Sequence, residues 1–160
     1  MFRQVALCVG LMLAGCATAP RSVGVVPFVT GAPVFPLGDG IEIEEIAGTH
    51  PRLEVGGVYV VTGRARLVSR DKARVSLFST GSDNATRTEG YRSVEIPEGE
   101  SEFHLAIAIV ADGDLHLMLS AADDPYANET FGGVYFRDPD RPFLFSGVQK
   151  VDVEPTDARR

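Results

Sequence analysis

A hydrophobic period of two residues recurs along most of this chain and limits its fold more than any other feature. Ile41 and Ile43 alternate with Glu42 and Glu44. Residues 57–68 set Tyr59, Val61, Ala65 and Leu67 against Thr62, Arg64 and Arg66, and residues 73–79 set Ala73, Val75 and Leu77 against Arg74 and Ser76. Phe103, Leu105, Ile107 and Ile109 form a further stripe, as do Leu115, Leu117 and Leu119, then Val134 and Phe136. Successive strand side chains point to opposite faces, so this period marks half-buried antiparallel strands. No segment carries the three-and-four spacing of a helix. Turn residues fall at Gly56-Gly57, Ser69 to Lys72, Gly81 to Asn84, Pro97 to Gly99, Asp112-Gly113, Asp123 to Pro125 and Asp138 to Pro142. The pattern predicts an all-β chain: an antiparallel β-sandwich, Ig-like in general architecture, of about seven to nine strands, with a small β-barrel as the alternative.

The register around Asp112-Gly113 can be argued further. Asp-Gly is a strong two-residue hairpin signal. A two-residue loop would pair odd-numbered with even-numbered residues, yet the large apolar residues on both flanks are odd. Paired residues share a face, so a bulge or three-residue loop over Asp112 to Asp114 is expected, with Leu117 near Ile109 and Leu119 near Ile107. The competing possibility is a central strand buried on both faces.

At the N-terminus, Arg3 precedes the apolar run Val5 to Leu13, which leads through Ala14 and Gly15 to Cys16. The apolar run is about half the ~20 residues that a spanning helix needs. Leu13-Ala14-Gly15-Cys16 resembles the lipobox of bacterial lipoproteins at all four positions. The resemblance covers residues 1–20. It implies cleavage after residue 15, lipidation of Cys16 and a stable membrane anchor. Ala17 stands where Asp would favour retention in the inner membrane, which implies an outer-membrane location, on either the periplasmic or the surface side. Residues 16–38 then read as the lipidated Cys and a Pro/Gly-rich tether, with Pro20, Pro27, Pro33 and Pro36 blocking helix. Val23, Val25, Val26 and Phe28 offer a short edge strand within it. Residues 39–149 form the β-sandwich domain, and residues 150–160 a polar tail.

Removing residues 1–15 from the 160 leaves 145, enough for one full core. The remainder holds 14 basic and 22 acidic side chains, a net charge of −8 with His neutral. Such a chain lacks the basic footprint that nucleic acid requires, so no nucleic-acid partner is expected. Cys8 lies in the leader and Cys16 is the expected lipid site. No thiol is left for a disulfide, a thiolate metal site or a cysteine nucleophile.

Candidate chemistry is sparse. His104 and His116 fall on even-numbered, solvent-side positions, and His50 precedes Pro51 in a loop. Acid pairs recur in turns: Asp112 and Asp114, Asp123 and Asp124, Asp138 and Asp140. Calcium takes six to eight oxygen ligands from such loops, with Asp123 and Asp124 the candidates, but Asp is also ordinary turn chemistry. No cofactor is indicated. Gly-x-Ser-x-Gly and Ser-x-x-Lys are absent from the sequence, so no nucleophile is singled out. Tyr135, beside Phe131, Gly132 and Gly133, and Tyr126 are candidate ligand contacts, since bare backbone admits close approach. The bland alternative is a bulge at Gly132-Gly133, with Phe131, Val134 and Phe136 in the core. Phe143 to Phe145 are expected to form a closing strand. Together these features point to a non-enzymatic interaction or structural module of the envelope, with an envelope protein or glycan as partner. Polysaccharide or peptidoglycan binding is the alternative, and a small hydrolase the third.

Overall fold

A computed structural model describes residues 24–81, 86–124 and 129–144, with the backbone alone for residues 86–91. Cys16, Tyr126, Phe145 and the 150–160 tail lie outside the described residues. The described chain is all-β and antiparallel, and its sheet curls into a half-barrel. Its strands are β1 (Gly24–Val25), β2 (Val29–Thr30), β3 (Gly40–Gly48), β4 (Val58–Gly81), β5 (Thr86–Ala108), β6 (Gly113–Ala121) and β7 (Thr130–Arg137). The expected stripes hold: Tyr59, Val61, Ala65, Leu67, Ala73, Val75, Leu77, Phe103, Leu105, Ile107, Leu115, Leu117, Leu119, Val134 and Phe136 share one core.

The long hairpin of β4 and β5 shapes the sheet. Val58 pairs with Ala108 and Thr80 with Thr86, so β5 holds one edge of β4 along nearly its whole length. β3 pairs with Gly40↔Arg66 through Gly48↔Tyr59, and β6 with Ala73↔Ala121 through Gly81↔Gly113. Both therefore lie on the other edge of β4, end to end. Between them β4 bends. Ser69 to Lys72 is thus not a turn between two strands but a bulge inside one, and Pro97 to Gly99 likewise falls inside β5.

Between Leu67↔Gly99 and Lys72↔Pro97 the chain advances five residues on β4 and two on β5. The core-facing residues of β4 stay odd-numbered across the bulge, whereas those of β5 switch from Phe103, Leu105 and Ile107 to Ile96 and Val94. The additional residues leave backbone N–H groups without ladder partners. The Asp39 carboxylate takes them, accepting from Val68 N at 2.7 Å, Ser69 N at 2.9 Å and Ser69 Oγ at 2.5 Å. Burial pushes the Asp39 pKa up, but the bonds from Ser69 and Val68 and the Arg70 charge bring it below the usual value.

The predicted 101–121 hairpin does not form. β6 pairs with β4 and β7 instead, placing Leu117 opposite Leu77 and Val134. β4 offers β6 nine paired positions, from Ala73↔Ala121 to Gly81↔Gly113. The competing expectation of a strand buried on both faces, for which Ala106 and Ala108 speak in the sequence, fails on β5, where Ala106 is exposed; it is β6 whose residues 114–117 and 119–121 are all buried. Phe143 and Leu144 do not form a strand. Leu144 N instead donates to Asp114 Oδ2 at 2.8 Å, tying this segment to the start of β6.

From residue 24 onward the expected tether is bound to the sheet. Val25 pairs with Ala47 of β3, and Val29 and Thr30 pair with Arg137 and Phe136 of β7. Val26 is buried between, its N–H bonded to Ile46 O at 2.7 Å, and Phe28 meets Phe136 edge-on at 6.4 Å. One short segment thus joins β3 to β7. Tyr59 secures the neighbouring end. Its ring leaves no room for side chains at residues 48 and 57, where a Cβ would lie 2.2 and 2.1 Å from it. Its hydroxyl donates to Arg52 O at 2.5 Å and accepts from Glu54 N at 3.0 Å. Among the described residues no helix is long and apolar enough to cross a membrane.

Candidate functional site

Burial of β6 on both faces creates the site. Its odd residues enter the core. Its even residues, Asp114, His116, Met118 and Ser120, share the other face with Ser76, Phe78 and Thr80 of β4 and with Gly133 and Tyr135 of β7. His116 was expected on a solvent-facing surface, yet it is only 3% exposed. The reason is its position between two strands: its ring stacks on Phe78 at 5.2 Å and lies tilted against Tyr135 at 5.0 Å. Its Nδ1 shares a hydrogen bond with Thr80 Oγ1 at 3.2 Å. Burial lowers its pKa to about 4, so the ring is neutral at pH 7. Burial, and then the Asp114 charge, raise the Tyr135 pKa, which keeps the phenol protonated.

Beside these rings runs an open groove of about 350 Å³. Val34, Phe131 and Met118 give it apolar walls, Gly132 and Gly133 a bare floor, and Tyr135 and His116 its polar end. Gly133 is held by a bridge to Val34, with both N–H···O bonds at 2.8–2.9 Å. A Cβ on Gly133 would meet Leu117 O at 2.9 Å, and one on Gly132 would meet Phe35 at 2.4 Å. The glycines thus let residues 34–35 and β6 close on β7. The bulge expected at Gly132-Gly133 falls one residue earlier: Gly133 and Gly132 pair in register with Met118 and Leu119, but Ser120 faces Thr130, which sets Phe131 outside the ladder. Phe131 is only partly buried, and Arg70 lies over its ring at 4.0 Å. Tyr135 is therefore in the groove as a candidate contact, while Tyr126 lies outside the described residues. The Ala32 and Val34 wall was missed, because its Pro/Gly setting reads as linker.

The acid pairs take other roles. Asp112, Asp114, Asp138 and Asp140 gather at one end of the half-barrel, where arginines match them. Arg137 pairs with Asp114 at 2.7 Å, both almost fully buried, and also donates to Pro142 O. Arg141 meets Asp112 and Arg52 meets Asp140, each at 2.6 Å. Asp138 Oδ1 accepts from Asp140 N at 2.9 Å. Asp124 Oδ2 accepts from Glu129 N at 2.6 Å and Asp124 N donates to Ala121 O at 3.1 Å, which is turn chemistry. Asp123 is exposed beside it. Among the described residues, no three His, Cys, Asp or Glu side chains converge as a metal site would require. His104 bonds Thr62 at 3.1 Å on an exposed surface, and His50 bonds Thr49 at 3.0 Å.

With a neutral imidazole and a protonated phenol as its titratable lining, the groove suits apolar groups that carry a hydrogen-bonding end. Comparison with protein-family models, with curated proteins and with solved structures found no match.

Proposed function

We propose that this chain is a lipid-anchored envelope protein whose β-domain binds a partner without catalysing a reaction. Cys16 carries the anchor, the outer membrane is the location, and the two halves of the bent sheet serve as the layers of an Ig-like sandwich. The observation that carries this reading is the groove: open, largely apolar, floored by bare backbone and lined by side chains uncharged at neutral pH. These are features of a binding cleft. The lipobox resemblance supports the anchor. Glycan binding is favoured less, since Tyr135 is the one tyrosine among the described lining residues.

Two measurements test the proposal. Alkyne-palmitate should label the native protein and fail to label Cys16→Ser, which should leave the membrane fraction. A photo-crosslinking residue at Val34, in the groove, should form an adduct in cells. The same residue at Val60, about equally exposed on another part of the sheet (43% against 41%), should not. Equal adducts from both positions, or none from either, count against the groove.

A further inference from the structure

Arg70 stands beside one end of the groove, outside the residues that line it. Arg70 lies over the Phe131 ring at 4.0 Å, and Phe131 lines the groove. Among the described residues, Arg70 makes no ion pair within 4 Å; the nearby carboxylate that feels its charge is Asp39, which is already bonded to Val68 and Ser69. The other arginines flanking this part of the sheet are engaged: Arg74 reaches Ala122 O at 2.9 Å and approaches Glu95 at 4.0 Å, and Arg137 is buried against Asp114. From Phe131 to Tyr135 the strand advances four residues, about 13 Å. Over that length the walls are Val34, Met118 and Gly133, and the far end is the neutral pair His116 and Tyr135.

A charge at one mouth and an apolar channel behind it define a ligand with matching asymmetry. We propose that the groove binds a single-chain anionic amphiphile, its head on Arg70 and its tail along Val34, Met118 and Gly133. The proposal rests on the groove being the binding site described above, and it names the ligand class. The chain as a whole is acidic, with a net charge of −7, so it repels anions at a distance. Selection for an anionic head must then come from Arg70 itself. The aliphatic tail contributes the affinity by leaving water, and the head sets direction and specificity.

The test uses the full chain in lipid nanodiscs and diazirine-bearing analogues of decanoate, decanol and decylamine. Decanoate should label peptides containing Val34, Met118 or Tyr135 about threefold more than decylamine, the preference that one partly exposed ion pair sustains. Arg70→Glu should abolish or reverse that preference while leaving decanol labelling intact. Ala32→Trp, on the exposed rim of the groove, should block all three probes. Equal labelling by all three head groups, or an Arg70→Glu chain that still prefers decanoate, overturns the amphiphile proposal. If no probe labels the groove while the Val34 adduct persists in cells, the ligand class is wrong and the binding site stands. If both are missing, both readings fail.

Discussion

His116 shows at the residue scale how a sequence position and its environment part company. Even numbering in a strand whose odd residues are large and apolar puts it on the outer face, and there it sits. Outer does not mean wet here, because β4 and β7 flank β6 and the Phe78 and Tyr135 rings cover the imidazole. Its pKa, about 4 in the fold, lies below the unfolded value near 6.5. Between these values the unfolded chain binds the extra proton. His116 therefore contributes stability that is fully present above pH 6.5 and is lost as pH falls toward 4, up to about 3 kcal/mol. The buried Asp114–Arg137 pair on the same face is a fixed feature of the comparison. In urea unfolding, the native chain is expected to lose about 2 kcal/mol more than His116→Gln between pH 7.5 and pH 4.5. Identical pH dependence in the two proteins would mean that the ring is protonated or solvated in the fold.

Among the elements, the bent hairpin accounts for what was legible in the sequence and what was not. The stripes on β4, β6, β7 and the second half of β5 were readable because one face of each meets the core. The first half of β5 was not, since among its described side chains only Val94 and Ile96 are apolar and reach inward. The bend hid for a subtler reason. An odd number of additional residues on β4 leaves the β4 stripe odd-numbered and flips β5, so β4 alone reads as two strands with a turn between. The Asp39 clamp on Val68 and Ser69 cannot be foreseen either, because it joins residues about thirty positions apart. Gly99 lies opposite Leu67 at the edge of the bulge, with φ of +98° and nothing within 4 Å of where a Cβ would project. Gly99→Ala therefore tests backbone conformation without a clash, and should cost about 1 kcal/mol in thermal or urea unfolding. Gly40→Ala, equally open but without positive φ, should change stability by less than about 0.5 kcal/mol. Equal effects at the two sites would remove the special role assigned to the bend.

Across the whole molecule, one decision determines the rest: β6 inserts between β4 and β7 instead of folding back on β5. That choice buries Leu117 between Leu77 and Val134, places His116 against Tyr135, and makes Met118 and Gly133 the walls and floor of the groove. It also lets residues 24–30 join β3 to β7. Sequence reasoning favoured the local hairpin because Asp112-Gly113 is a strong turn signal. The longer β4 ladder prevails, since it offers β6 a partner along its full length and releases β7 to pair on the other side. The most direct measurement is the set of backbone cross-strand nuclear Overhauser effects from residues 115–121 in the isotope-labelled full chain. Contacts linking Leu117 to Leu77 and to Val134, with the same register continuing to Leu115 and Leu119, are expected. A ladder linking residues 115–121 to residues 103–109 would contradict the fold, and the groove would go with it.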